Sequence, residues 1–175
     1  KKYKFLKEKN LKDQVDLIKK ELSKYKVKPD YKDDLDLEEN IKNLNKQLDT
    51  IKIQNIINDK RKNIIEDKKI SSFTLRKQIL TDFPPKELRN VVDQSKNDIK
   101  KGIVIGFATF EGKVGVAVGV TNELTKSYDA VKLVKVASEV LGGKGGGGRK
   151  DFAQAGGTNK DKIEEAFKTL SEKIN

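Results

Sequence analysis

The 175-residue sequence contains neither cysteine nor histidine. Disulfides, thiolate metal sites, Ser-His-Asp triads and Cys-His nucleophiles are therefore excluded, and only carboxylate or lysine chemistry remains open. Long apolar runs are also missing. None approaches the roughly 20 residues a membrane span requires, and no signal peptide is visible, so a cytoplasmic location is expected. Proline is scarce, and residues 1–70 hold only Pro29 and no glycine at all. Methionine is absent even at position 1, where Lys1 stands, which suggests a piece of something longer.

Charge fills the space left by these absences. Charged residues are 37% of the chain and apolar ones 35%, with a formal net charge of +11. A chain this polar is expected to be elongated over part of its length. An excess of this size favours polyanions through counterion release. Biased base composition, which inflates Lys, Asn and Ile together, produces the same excess. The charge is spread, at +6 over residues 1–70 and +5 over 71–175, so it does not by itself locate a binding face.

The two parts differ in pattern. In residues 1–70, Leu11, Val15, Ile18, Leu22 and Tyr25 recur in steps of four and three, and Leu37, Ile41, Leu44, Leu48 and Ile51 resume the pattern after Pro29. This predicts a helical hairpin or coiled-coil arm. Pro29 breaks the first helix, Asp36 and Glu39 resemble a capping box for the second, and the second helix is predicted to run about 30 residues. Such a narrow stripe buries little alone, which points to an oligomerisation arm, with a plain spacer as the alternative.

Residues 71–175 read as a small α/β domain in the order β-α-β-β-α-loop-β-α, with helices against a mixed sheet; the whole chain is thus α+β. "SSFTLRKQIL" is a strand. In "PPKELRNVVDQSKNDI" Pro85 suits a first turn, and Leu88, Val91, Val92, Ser95 and Ile99 share a face. "GIVIGFATF" and "KVGVAVGV" form a hairpin around Glu111-Gly112. Val114, Val116, Val118 and Val120 make one face bulky, while Gly115, Ala117 and Gly119 leave the other bare for close approach. Ser127 is placed to cap the next helix, and a last helix carries Ile163, Ala166, Phe167, Leu170 and Ile174.

Eight of the thirteen glycines fall in "GGKGGGGRKDFAQAGG", residues 142–157. Gly143-x-Gly145-x-x-Gly148 formally matches a dinucleotide fingerprint, but a helix precedes it and a strand follows, the reverse of what that motif needs. No Gly-Lys-Ser/Thr ends it, so it is no Walker loop. Consecutive glycine N–H groups can form an anion nest. Lys144, Arg149 and Lys150 would surround it, with Gly145, Gly146, Gly147 and Gln154 contributing contacts and Lys132 and Lys135 on the same side. Gly142, Gly143, Asp151, Gly156 and Gly157 read as structural: Asp151 accepts loop N–H groups or orients Arg149, and Gly156-Gly157 makes a turn. Phe152 is a stacking ring or a core residue. A mobile linker is the bland alternative, against which Phe152 and Gln154 argue. No catalytic residue and no metal ligand is assigned.

The glycine motif followed by "NKDKIEEAFKTL", together with "PPKELRNVVDQ", "GIVIGFATFEGKVGVAVGVT" and "YDAVKLVKVASEVLGGKGGGG", resembles the C-terminal domain of bacterial-type alanyl-tRNA synthetases over residues 71 to 175. That region of the family comprises a helical self-association segment and a globular DHHA1-type domain. One glycine more than usual precedes Arg149, and Lys150 stands where proline is usual. The resemblance implies a non-catalytic module of an ATP-dependent alanine–tRNA ligase. It would hold the outer corner of tRNA, bridge the aminoacylation and editing domains and promote a homodimer, with no membrane contact. ATP, magnesium and zinc would belong to upstream domains, leaving no cofactor here. Two alternatives stay open: the substrate-binding terminal domain of an Asp-His-His phosphoesterase, whose glycine motif usually ends in histidine rather than Arg149, and a purely structural oligomerisation module.

Overall fold

A computed structural model describes residues 1–174. The chain divides into two compact units, Lys1–Asn55 and Ile56–Asn175. No helix among the described residues is long and apolar enough to cross a membrane.

The first unit is built on α1 (Lys2–Lys24) and α2 (Leu37–Asn58), whose last residues pass into the second unit. The anticipated stripes form its core: Val15, Leu22, Leu44 and Leu48 are buried, with Ile18, Tyr25, Leu37, Ile41 and Ile51 packed on them. The helices do not form a hairpin, however. Lys7 pairs with Glu38 at 3.2 Å and Glu21 with Lys52 at 3.5 Å. The earlier residue of α1 meets the earlier residue of α2 and the later meets the later, so the two run in the same direction. The segment joining them must travel back along α2. It is fastened there by Gln47, whose amide bonds the Asp30 N–H and the Lys28 carbonyl at 2.9 Å, and by the buried Asn40. Asp36 caps α2 as expected, accepting from the Glu39 N–H at 2.7 Å. The helix is 22 residues long rather than about 30, because a strand follows it.

That strand corrects the expected boundary at residue 70. β1 (Asn63–Ile70) belongs to a six-stranded sheet with β2 (Phe73–Thr81), β3 (Gly102–Phe110), β4 (Lys113–Val120), β5 (Gly146–Gly148) and β6 (Phe152–Gly157). The order is β1-β2-β3-β4-β6-β5; β2 and β3 are parallel and every other pair is antiparallel. Relative to the expected order, β1 and β5 are additional strands, one at each edge.

The helices α3 (Leu88–Ile99), α4 (Ala130–Val140) and α5 (Ile163–Ile174) cover the two faces. The valines of β4 are buried with Leu133, Val134, Ala137, Leu141, Leu170 and Ile174 of the α4–α5 side, each fully buried valine contributing about 1.5–3 kcal/mol. The bare face receives α3: a Cβ on Gly119 would lie 2.6 Å from Val92 and 2.7 Å from the Lys96 stem. β3 and β4 join through Glu111 and Gly112, both with positive φ, the I′-type turn such a two-residue loop favours. Two basic side chains of β2 tie edge strand to helices on opposite faces. Arg76 binds Asp67 at 2.8 Å and Asp98 at 3.5 Å, and Lys77 binds Glu66 at 2.9 Å and Glu164 at 3.0 Å. Burial opposes the Lys77 charge, but the two carboxylates outweigh it and hold its pKa above the usual lysine value.

Candidate functional site

The glycine-rich stretch leaves α4 through a Schellman ending. The Gly143 N–H donates to the Ser138 carbonyl at 2.8 Å and the Gly142 N–H to Glu139 at 3.2 Å, with Gly142 at φ +77°, the left-handed position where glycine is the favoured residue. At the other end of α4 the cap is Asp129, which accepts from the Val131 N–H at 2.9 Å, and not Ser127. Ser138, buried in α4, then organises the exit: its hydroxyl donates to the Gly156 carbonyl at 2.9 Å and accepts from the Gly145 N–H at 3.1 Å.

The run that follows is neither a linker nor a nest. Gly146–Gly148 is a strand paired with Ala153–Ala155. In extended backbone successive N–H groups point in opposite directions, so the convergent donors of a nest do not form. The hairpin turns at Lys150-Asp151, flanked by reciprocal Arg149–Phe152 bonds of 2.7 and 3.3 Å. Gly156 and Gly157, expected to form a turn, are the end of β6.

The turn is anchored by its main chain. The Lys150 carbonyl accepts from Ala130 at 2.9 Å, and the Asp151 carbonyl accepts from Val120 at 2.8 Å and from Lys96 Nζ at 3.2 Å. The Asp151 carboxylate stands 3.5 Å from Arg149 Nε, and the Arg149 side chain is 70% exposed. Lys144 and Lys150 are exposed beside the strand. This much of the expected set comes together.

Other expected residues serve the fold. The Gln154 amide donates to the Pro85 carbonyl at 2.8 Å and fastens β6 to the lead-in of α3. Phe152 is buried under the Arg89 guanidinium, 5.2 Å from its ring centre, so it is a core residue. Lys132 and Lys135 are exposed on α4, and no hydrogen bond or ion pair among the described residues joins them to the hairpin.

The glycines separate by what a side chain would meet. A Cβ on Gly143 would fall 1.9 Å from the Gly156 carbonyl oxygen, and one on Gly146 would fall 2.2 Å from that of Gln154. A Cβ on Gly147 would meet nothing within 4 Å, and its φ lies outside the positive range. The fold therefore gives no reason for glycine at position 147. The register places Gly147 beside Gln154, on the α3 side of the sheet. The reciprocal Arg149–Phe152 bonds set the phase of the ladder, which directs the main-chain groups of Gly146 and Gly148 away from β6 and off the sheet edge. The result is a flat edge without side chains, bearing free main-chain groups and flanked by Lys144, Arg149 and Lys150.

Comparison with known proteins agrees with this domain. The DHHA1 domain model matches residues 67–175, starting within β1. The alanine–tRNA ligase of Hyphomonas neptunium is 51% identical over 85 residues, covering 49% of this chain and 10% of the relative. That of Paramagnetospirillum magneticum is 40% identical over 107 residues, covering 57% of this chain and 12% of the relative. The chain thus spans about a tenth of the length of the curated relatives it matches. The solved C-Ala domain of alanyl-tRNA synthetase from Aquifex aeolicus is 34% identical with a TM-score of 0.57, over 61% of this chain and 96% of that one. With the sheet, the glycine hairpin and a family match over more than half its length, this chain belongs to the DHHA1 domain family, in the company of the C-terminal domains of alanine–tRNA ligases.

Proposed function

We propose that this chain is the C-terminal module of an alanine–tRNA ligase and that its glycine hairpin contacts tRNA. The observation that carries the reading is Gly147. It is a glycine the fold does not require, on a bare strand edge bordered by three exposed cations. A surface without side chains lets another molecule reach the backbone, and the cations supply phosphate attraction. The relatives' similarity supports the setting. In it the parent enzyme joins alanine to tRNA with ATP and magnesium, and its metal and catalytic residues lie in domains outside this chain. The module serves to hold the tRNA's outer corner and to bridge the aminoacylation and editing domains in the cytoplasm. The parallel-helix unit serves homodimerisation. The glycine motif's ending in Arg149 rather than histidine favours this reading over a phosphoesterase substrate domain.

The test is binding of the chain to folded tRNA and to a DNA duplex of similar length across a salt series. Arg149→Glu with Lys150→Glu is expected to weaken tRNA binding at least about tenfold and to lower the salt slope by about two phosphate contacts. Equal, weak binding to both nucleic acids, unchanged by the substitutions, would defeat the reading.

A further inference from the structure

Beside the hairpin turn lies a second feature, a polar cleft of about 550 Å³. The C-terminal end of α3 forms one wall with Lys96, Asn97 and Lys100, and the short helical turn Asn122–Leu124 forms the other. Asp151 of the hairpin turn closes it. The cleft is therefore contiguous with the Arg149–Lys150 corner.

Its lining carries two lysines and two carboxylates, and the cations just outside it, Lys101 and Arg149, tip the local balance to positive. The two carboxylates that line it are engaged with cations outside it: Glu123 with Lys101 at 3.5 Å and Asp151 with Arg149 at 3.5 Å. Lys96 is held by its stem on Gly119, its ammonium 3.2 Å from the Asp151 carbonyl. Lys100 is exposed at the rim and occupies an unusual conformation. It ends α3 at φ +65° and ψ −53°, a tight γ-turn closed by the Lys101 N–H on the Ile99 carbonyl at 2.7 Å, a strained conformation that glycine adopts more easily than lysine. A lysine there accepts backbone strain and keeps an ammonium at the mouth of the cleft. The amides of Asn97 and Asn122, both exposed, add hydrogen-bond donors and acceptors of the kind that recognise ribose hydroxyls.

We propose that this cleft binds a ribose-phosphate segment of the RNA strand that lies on the glycine hairpin, with Lys100 meeting a phosphate and Asn97 and Asn122 the sugar. The proposal rests on the tRNA reading of the hairpin and extends its footprint around the Lys150-Asp151 turn onto α3. It gives Lys100 opposite effects on stability and on binding. A lysine retained only by chance would show no such opposition.

The experiment uses the full chain, wild type and three variants: Lys100→Gly, the pair Asn97→Ala and Asn122→Ala, and Arg149→Glu with Lys150→Glu. Thermal unfolding and tRNA affinity are measured for each. Lys100→Gly is expected to raise the melting temperature, because the strain is relieved, and to weaken tRNA binding about three- to tenfold with a salt slope lower by about one. The asparagine pair is expected to weaken tRNA binding several-fold with the salt slope unchanged. If wild type binds tRNA and the Arg149/Lys150 variant does not, while Lys100→Gly and the asparagine pair bind like wild type, the cleft proposal is overturned and the hairpin reading stands. If wild type does not prefer tRNA to the DNA duplex, the underlying reading has failed and the cleft proposal with it. Lys96 is left intact because it anchors the turn.

Discussion

Alanine at Gly143 is expected to cost the globular unit about 3 kcal/mol or more, in the range of severe overpacking. At the scale of roughly 2–8 °C per kcal/mol, this lowers its melting temperature by about 10 °C. The added carbon would sit 1.9 Å from the Gly156 carbonyl oxygen and 2.4 Å from the Ser138 hydroxyl. The first obstacle is backbone and cannot rotate away. The second is the side chain that links Gly145 to Gly156. To admit a methyl group the chain must pull Gly143 off β6 and lose the Ser138 bonds that lead the hairpin out of α4. Gly147→Ala is the matched control. Its Cβ meets open space, and a strand position gains slightly from losing unfolded-state freedom, so its stability should stay within about 0.5 kcal/mol of wild type. Thermal and urea unfolding of both variants, followed by circular dichroism, gives the comparison. Equal melting of wild type and Gly143→Ala would show that the close approach is not held in solution. Gly147→Ala then supplies the functional half: unchanged melting with weakened tRNA binding would assign this glycine to the ligand and not to the fold.

The glycines of the run mark the limit of what the sequence discloses. The sequence sets Gly143 among the structural glycines but groups Gly146 with Gly147 as contact residues, although a Cβ on Gly146 would fall 2.2 Å from the Gln154 carbonyl oxygen and one on Gly147 would meet nothing; only the approach of β6 separates these two. The expected nest does not form for a related reason. Glycine permits the nest, but pairing with Ala153–Ala155 selects an extended strand, and tertiary context decides between conformations that glycine allows equally. Gln154, expected as a ligand contact, instead bonds Pro85, and Phe152, open in the sequence between a stacking ring and a core residue, is buried; the partner of Gln154 is a segment remote in sequence.

Where a local pattern and a face coincide, the sequence is sufficient. The alternation of valine against glycine and alanine in β4 states which face is filled and which is bare, and α3 lies on the bare one. The Glu111-Gly112 turn and the apolar faces of α3, α4 and α5 are legible for the same reason. β1 was not. "NIIEDKKI" is exposed over most of its length because it is an edge strand, and its charged residues pair with Arg76 and Lys77 instead of alternating with a core. Charge of this kind protects an open edge and hides the strand from a search for alternating apolar residues. The cleft beside α3 is equally silent, since Lys96 and Lys100 belong to the end of α3, Asn122 to the short helical turn and Asp151 to the hairpin turn, three parts of the chain far apart in sequence.

Asn40 carries the second large effect, in the helical unit. Replacing it with leucine is expected to cost that unit about 2–4 kcal/mol, the penalty for stranding buried polar groups on the segment it holds. Asn40 is fully buried. Its Oδ1 accepts from the Lys32 N–H at 2.9 Å, and its Nδ2 donates to the carbonyls of Lys32 at 2.9 Å and of Leu35 and Asp36 at 3.2 Å. These bonds hold the returning segment against α2, and only a returning segment lets α1 and α2 run in the same direction. Position 40 lies four residues before Leu44 and eight before Leu48, on the buried stripe, so leucine fits the apolar spacing and would strengthen an ordinary antiparallel seam. The substitution therefore separates two arrangements by sign. Loss of stability on Asn40→Leu, measured by unfolding of the full chain through helical circular dichroism, supports the parallel pair with its fastened connection. A gain would mean that the helices pack as a plain apolar seam and that the amide's bonds contribute little. Gln47→Ala is the milder companion. It removes two bonds to the same segment at a half-buried position, where water can replace them, and should cost about 0.5–1.5 kcal/mol.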